Sequence, residues 1–243
     1  MNVNTRGAWL VAAWLATLLT GCATSSPPPD FQALVAGPDR SEADRKNDVR
    51  RKPAQMLGFY EVRPGMRIAD LGAIAGYNTE LLARAVGPSG RVYAQNIPNY
   101  AARIDERMKK PVMQNVVHVV RELDDPLPPE AANLDLVTLN FFYHDTVTLG
   151  TDRARMNRAV FNALKPGGIY IVADHSGRPG TGATETKSLH RIEETVVRRE
   201  IEAAGFRFIG EGGFLRNRDD PRDVQVQKST VPNDEFVLKF VKP

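Results

Sequence analysis

Short apolar runs alternate with helical stretches along most of this chain, and that alternation constrains the fold more than any other feature. The runs are MRIADL (66–71), RVYAQN (91–96), NVVHVV (115–120), LDLVTLNFF (134–142) and GIYIVAD (168–174). They are rich in β-branched and aromatic residues and read as strands. Between them, Asn78 to Val86 carries apolar residues at helical spacing and stops at Gly87-Pro88. Residues 99–110 are polar and helical, and 151–164 form a helix ended by Lys165-Pro166-Gly167-Gly168. A long helix over 185–204 closes at Gly205, and FRFIGEGGFL (206–215) and EFVLKFV (235–241) follow as antiparallel strands. Strands alternating with helices of about ten to fifteen residues predict an α/β fold with a mostly parallel sheet and helices on both faces.

The N-terminal end reads differently. Arg6 precedes GAWLVAAWLATLLT (7–20), an uncharged apolar run too short to span a bilayer and of the length of a signal-peptide core. Leu19-Thr20-Gly21-Cys22 follows and resembles the lipobox of bacterial lipoproteins, in which the cysteine becomes the acylated first residue. That resemblance implies a signal peptide over 1–21, lipidation at Cys22 and anchorage in the cell envelope facing the periplasm. Ala23 after the cysteine leans towards the outer membrane. The Pro/Ser-rich ATSSPPPD (23–30) opens a flexible tether over 22–40. Ser41 then caps a helix that runs, whole or broken near Pro53, to about Tyr60. Cys22 is the single cysteine, so no intrachain disulfide forms. Net charge is +3 with Lys and Arg spread along the chain, which gives nucleic-acid binding little support.

In open parallel sheets, ligands bind beyond the carboxyl ends of the strands near the topological switch point. That edge holds Asp70–Tyr77, Gln95-Asn96, Arg121–Asp125, Asn140–Asp145 and Asp174–Ser176. In IADLGAIAGYNTELLA (68–83), a strand meets an aspartate, two glycines and a helix start. Such a loop lets backbone N–H groups approach a ligand at the positive end of a helix. The spacing is not G-x-G-x-x-G, which weakens a dinucleotide reading. His144, His175 and His190 fall at or near the same edge, while His118 lies inside the third strand as a structural residue. His144 or His175 suits a general base oriented by Asp145 or Asp174. The same pairs suit plain loop ties, and a third reading is metal-dependent chemistry at His144, His175 and His190, since imidazole and carboxylate can hold a divalent ion although their spacings match no compact metal motif. Arg191 suits a carboxylate substrate or a surface ion pair. RPGTGATET (178–186) suits a mobile cover or a simple connection. Arg50-Arg51-Lys52 reads as a solvated helix face or as a contact for anionic headgroups.

The order strand-DLGxxxG-helix, VYAQN, NFFYHD, LKPGGIYIVADHS, EAAGF and EFVLKFVKP resembles class I S-adenosylmethionine (SAM)-dependent methyltransferases. More narrowly, it is similar to a group of predicted methyltransferases that are secreted or lipid-anchored in bacteria. The resemblance covers 41–243. It implies a Rossmann-like, doubly wound seven-stranded sheet, mostly parallel with an antiparallel C-terminal strand. It also implies SAM as cofactor and a small-molecule methyl acceptor. Asp70, Gly72, Gly76, Tyr77, Asn96, Asp124 and Asn140 become cofactor-side residues, and His144, Asp145 and His175 acceptor-side residues. Two positions depart from the pattern. Ile74 stands where the family has glycine, so the loop there is expected to stay out of the left-handed region or to hold the cofactor further out. Gln95 and Asn96 replace the usual acidic residue for the ribose. These departures keep a second reading open, a lipoprotein that retains the fold for binding without catalysis.

Overall fold

The computed structural model describes Met1 and residues 27–243. The apolar run, Cys22 and the start of the tether lie outside the described residues. From Asp30 the chain forms α1 (Phe31–Val35), α2 (Glu42–Arg51) and α3 (Pro53–Tyr60). Then come β1 (Arg67–Leu71), α4 (Tyr77–Val86), β2 (Arg91–Asn96), α5 (Asp105–Met108), β3 (Val116–Val120) and β4 (Leu134–Asn140). The second half holds α6 (Tyr143–Thr148), α7 (Arg153–Ala163), β5 (Leu164–His175), α8 (Thr186–Leu189), α9 (Glu194–Ala203), β6 (Arg207–Glu211) and β7 (Glu235–Val241). The strands make one seven-stranded sheet in the order β3-β2-β1-β4-β5-β7-β6. The first five strands pair in parallel, and β7 runs antiparallel to both β5 and β6. This is the expected doubly wound fold, with its switch point between β1 and β4.

Both faces of the sheet are buried, because successive side chains on a strand point opposite ways. On β5, Tyr170 and Val172 join one apolar cluster while Ile171 and Ala173 join the other. Leu139 and Leu136 of β4 divide in the same manner.

Four expectations need correction. Residues 31–40 are not tether. Asp30 caps α1, whose Phe31, Leu34 and Val35 pack on the cluster that holds Leu57 and Leu82, and Arg40 is buried against Asp48. The strand expected over 206–215 spans only β6, with a 3-10 turn at Gly213–Leu215, whereas 99–110 is helical as read, a 3-10 helix (Pro98–Ile104) running into α5. Lys165–Gly168 already belongs to β5, which starts at Leu164 paired with Leu134. The helix expected over 185–204 is two helices, broken at His190, whose φ of 56° is left-handed. Just beyond the break, Ile192 makes a parallel bridge to Ser176. The break near Pro53 is present: Lys52 takes φ 43° and Pro53 starts α3, where its missing N–H costs nothing.

Candidate functional site

At the switch point lies a crevice of about 230 Å³, walled by Arg51, Asp70, Ile74, Tyr77, Asn140 and Phe142 among others. Its floor is the turn from β1 to α4. Gly72 and Gly76 take φ of 60° and 75°, as the sequence predicts for a tight loop. Ile74 also turns left-handed, at φ 52°, contrary to expectation. The side chains at the end of β2 hold it there. Asn96 Oδ1 accepts the Ile74 N–H at 2.7 Å, and Asn96 Nδ2 donates to the Ile74 carbonyl at 3.1 Å. Gln95 Oε1 accepts the Gly72 N–H, its Nε2 donates to the Arg121 carbonyl, and its own carbonyl accepts the Ala73 N–H. Both amides are fully buried.

This changes the roles read from sequence. The N–H groups of Gly72, Ala73, Ile74 and Gly76 are bonded within the protein rather than offered to a ligand. Asn96 clamps the loop and presents no free polar atom for a ribose. Asp70 borders the crevice, but Asn78, Thr79 and Thr138 donate to its carboxylate at 2.6–2.8 Å. Burial pushes that carboxyl above its ordinary value, against the pull of those hydrogen bonds. Tyr77 donates its hydroxyl to Asp48 at 2.6 Å, which ties the loop to α2. Phe142 lies so close over Gly72 that an added Cβ there would meet its ring at 2.7 Å.

Two groups in the crevice keep donors to spare. Asn140 accepts from the Tyr60 hydroxyl, while its buried Nδ2 has no partner. Arg51 stacks on the Phe141 ring at 4.4 Å and on the Tyr77 ring at 5.5 Å. Among the described residues no carboxylate pairs with it. Burial, with the adjacent Arg50 charge, lowers its guanidinium to about 10. The expectation of a solvated basic face holds for exposed Lys52, which donates to the Phe214 carbonyl, but not for Arg50, which pairs with buried Glu235 and lies over the Phe141 ring. Sequence reading missed Arg51 because nothing in RRK distinguishes the residue that turns inward.

Asp124 sits elsewhere, in a second cleft of about 390 Å³ at the ends of β2 and β3, with Asn99, Glu122 and Thr151. Its Oδ1 accepts the Asp152 N–H. Phe142 of the crevice wall meets Tyr100 edge-on, with ring centroids 6.1 Å apart, beside the Pro98–Asn99 rim of this cleft.

The histidines converge on the other side of Phe141. His144 lies in the first turn of α6, and Asp174 and His175 are the last residues of β5, which ends one residue beyond the strand read from sequence. Fully buried Asp174 accepts the backbone N–H groups of His144 and His175, and its Oδ1 lies 2.7 Å from His144 Nδ1. Burial would raise the Asp174 carboxyl, but the charge and hydrogen bond of His144 outweigh it and hold the group low. Conversely, burial would lower His144, but Asp174 and Asp145 raise it. Asp145 is raised, by burial first, with His144 pulling the other way. His144 Nε2 then faces Asp145 Oδ1 at 3.4 Å and His190 Nδ1 at 3.4 Å. His175 packs on the Phe141 ring, with Nδ1 3.1 Å from Glu235. His118 stays on β3. Arg191 is neither a surface residue nor open to substrate. It is completely buried and pairs with Asp220 at 2.8 Å. The 178–186 connection is fastened by Glu193, which accepts the N–H groups of Gly180 and Gly182.

Residues 69–172 match a family model described as a methyltransferase domain. That segment runs from β1 to β5, and the sheet around it is the Rossmann-like fold of methyltransferases. The chain is 28% identical over 178 residues to the ubiquinone/menaquinone biosynthesis C-methyltransferase UbiE of Vibrio parahaemolyticus, covering 72% of this chain and 67% of that protein. It is 30% identical over 167 residues to the protein-L-isoaspartate O-methyltransferase of Aeropyrum pernix, covering 66% of this chain and 57% of that one. Against the relative from Vibrio cholerae the share of that protein is also 57%, so the chain spans between about half and two thirds of the length of such relatives. Among solved structures it resembles a SAM-dependent methyltransferase from Aquifex aeolicus (TM-score 0.60, 19% identity, 83% of this chain and 97% of that chain). It also resembles the [4+2]-cyclase SpnF (TM-score 0.61, 16% identity, 87% and 90%). At such identities these likenesses establish the fold alone.

Proposed function

We propose that the chain is a SAM-dependent methyltransferase acting on a small acceptor, with the amino acid end of the cofactor in the crevice between β1 and β4. The observation that carries this reading is the pair of unspent donors there. Among the described residues Arg51 has no acidic partner and Asn140 Nδ2 no hydrogen-bond partner, a combination suited to a carboxylate. Bound SAM supplies an electrophilic methyl group on its sulfonium. The chain's own residues bind, orient and shield. Gly72, Gly76 and Ile74 shape the floor, Tyr77 and Asn78 open α4 beside it, and Asp70 fixes Asn78. Asp124 borders the second cleft, where we place the adenosyl end.

His144, Asp145 and His175 stand on the acceptor side. With Nδ1 committed to Asp174, His144 presents Nε2 outward from the α6 turn. There it promotes loss of the acceptor proton, directly or through a bound cation. Phe141 separates this cluster from Arg51. The test is calorimetric titration of the chain with SAM and its demethylated product. Saturable 1:1 binding of both is expected, and no heat at millimolar ligand overturns the reading.

A second reading has one observation in its favour. The loop amides are bonded inward and Phe142 covers Gly72, which suits a methyltransferase fold kept for binding without turnover. Normal cofactor affinity combined with no methyl transfer to any acceptor in a cell-envelope extract would favour it. We further propose lipidation at Cys22 and a periplasm-facing lipoprotein, resting on the lipobox-like Leu19–Cys22.

A further inference from the structure

We propose that His144, Asp145 and His190 form a binding site for a divalent transition-metal ion. The ligand atoms are His144 Nε2, Asp145 Oδ1 and His190 Nδ1. Their separations are 3.4 Å, 3.4 Å and 3.8 Å. Tetrahedral ligands at roughly 2.0–2.1 Å from zinc lie about 3.4 Å from one another, so one ion reaches all three with little movement. Two imidazoles and one carboxylate suit zinc or iron(II) rather than magnesium or calcium.

The surroundings match what a metal site needs beyond its ligands. Buried Asp174 receives Nδ1 of His144 at 2.7 Å and thereby fixes the tautomer that leaves the Nε2 lone pair facing the other two atoms. His190 reaches the cluster only because α8 ends there in a left-handed residue, a conformation that persists where its surroundings impose it. Arg191 imposes it from the next position: it is fully buried, pairs with Asp220 and donates to the Ser176 carbonyl. Asp145 and His190 are about 30% exposed while His144 is buried, so an ion held here keeps an open side. An oxygen ligand from solvent or from a small molecule completes the coordination, the pattern of a reactive rather than a closed structural site. In sequence His144 and His190 lie 46 positions apart, the second at a helix break, which is why no compact motif announces the site.

The site stands on its own geometry and is tested with metal alone, so its failure and the failure of the methyl-transfer reading are distinguishable. Chelator-treated protein is titrated with Co²⁺ and Zn²⁺, followed by cobalt visible absorption and calorimetry. One equivalent per chain is expected, with cobalt bands of a low-coordinate ion that Zn²⁺ abolishes. His190→Ala and Asp145→Asn, both at partly exposed positions, should each weaken binding at least tenfold with the thermal transition retained. His118→Gln should bind like the parent. Absence of stoichiometric binding in the parent overturns the site, as does unchanged affinity in His190→Ala. Metal lost equally in His118→Gln overturns it too.

Discussion

On the proposed reading, the residue that decides whether the crevice takes a cofactor is Arg51. Its guanidinium stacks on the Phe141 and Tyr77 rings beside the glycine turn, and among the described residues no carboxylate pairs with it. Arg51→Met keeps the stem and removes the charge. Affinity for SAM should fall roughly tenfold to a hundredfold, the worth of a charge-assisted hydrogen bond, with little change in thermal stability. An unchanged dissociation constant in calorimetry would place the carboxylate elsewhere. Ile74 is the other telling position. Ile74→Gly relieves about 1–2 kcal/mol of left-handed strain and forfeits apolar packing of similar size. The urea midpoint should therefore move little, while SAM affinity rises as the crevice widens. A loss above about 2 kcal/mol would show instead that Ile74 is chiefly a core anchor.

At the scale of elements, the β1–α4 turn and the end of β2 act as one unit. Asn96→Ala leaves both the N–H and the carbonyl of Ile74 without their partners, at a cost of about 3 kcal/mol; chemical denaturation measures it. Acid tests a different unit. Glu80 on α4 receives Arg84, Arg107 and Lys110, and Arg107 also grips Asp44 on α2. Burial alone would raise the Glu80 carboxyl, but hydrogen bonds from Lys110, Arg84 and Arg107 outweigh it and hold the group below its ordinary value. A carboxyl depressed on folding contributes stability above its unfolded value of 4.5 and loses it as pH falls through the folded value. Glu80→Gln should therefore be less stable than the parent at neutral pH and converge on it only as pH falls through the depressed folded value; equal stability at pH 7 would contradict this.

Strand positions were legible because β-branched runs bounded by turns leave few alternatives. Residues 91–96 and 235–241 are strands over the ranges read from sequence. What stayed hidden depends on contacts far along the chain. α1 has five residues and is stabilised by packing, with Phe31 beside Gly58 of α3. Arg51, the last residue of α2, turns its side chain onto the Phe141 and Tyr77 rings, which lie far along the chain. Gln95 and Asn96 were noticed as departures from an acidic pattern, yet only the fold shows that the two amides replace glycine freedom at 74 with bonds to the loop. The histidine cluster was legible as residues at one sheet edge. Its convergence on three atoms was not, because the helix break at His190 leaves no clear signal in TETKSLHRIEE.

For the whole molecule, the fold places the proposed cofactor crevice at the β1–β4 switch and the proposed acceptor-side cluster around α6, with the Phe141 ring against both Arg51 and His175. Among the described residues no helix is long and apolar enough to cross a membrane. Attachment through a lipid on Cys22, as proposed above, has its own test. Cys22→Ser in the full chain should move the protein from the membrane fraction to the soluble fraction and abolish incorporation of labelled fatty acid. Continued membrane residence without label would refute lipid anchoring. The central claim is that the β1–β4 crevice is where SAM lodges, and the most direct measurement is an NMR titration of isotopically labelled protein with SAM. The account predicts saturable shifts confined to the amides of 72–78 and 140–142 and to the Arg51 side chain. Shifts elsewhere in the sheet edge with these signals still, or no shifts at all, would contradict it.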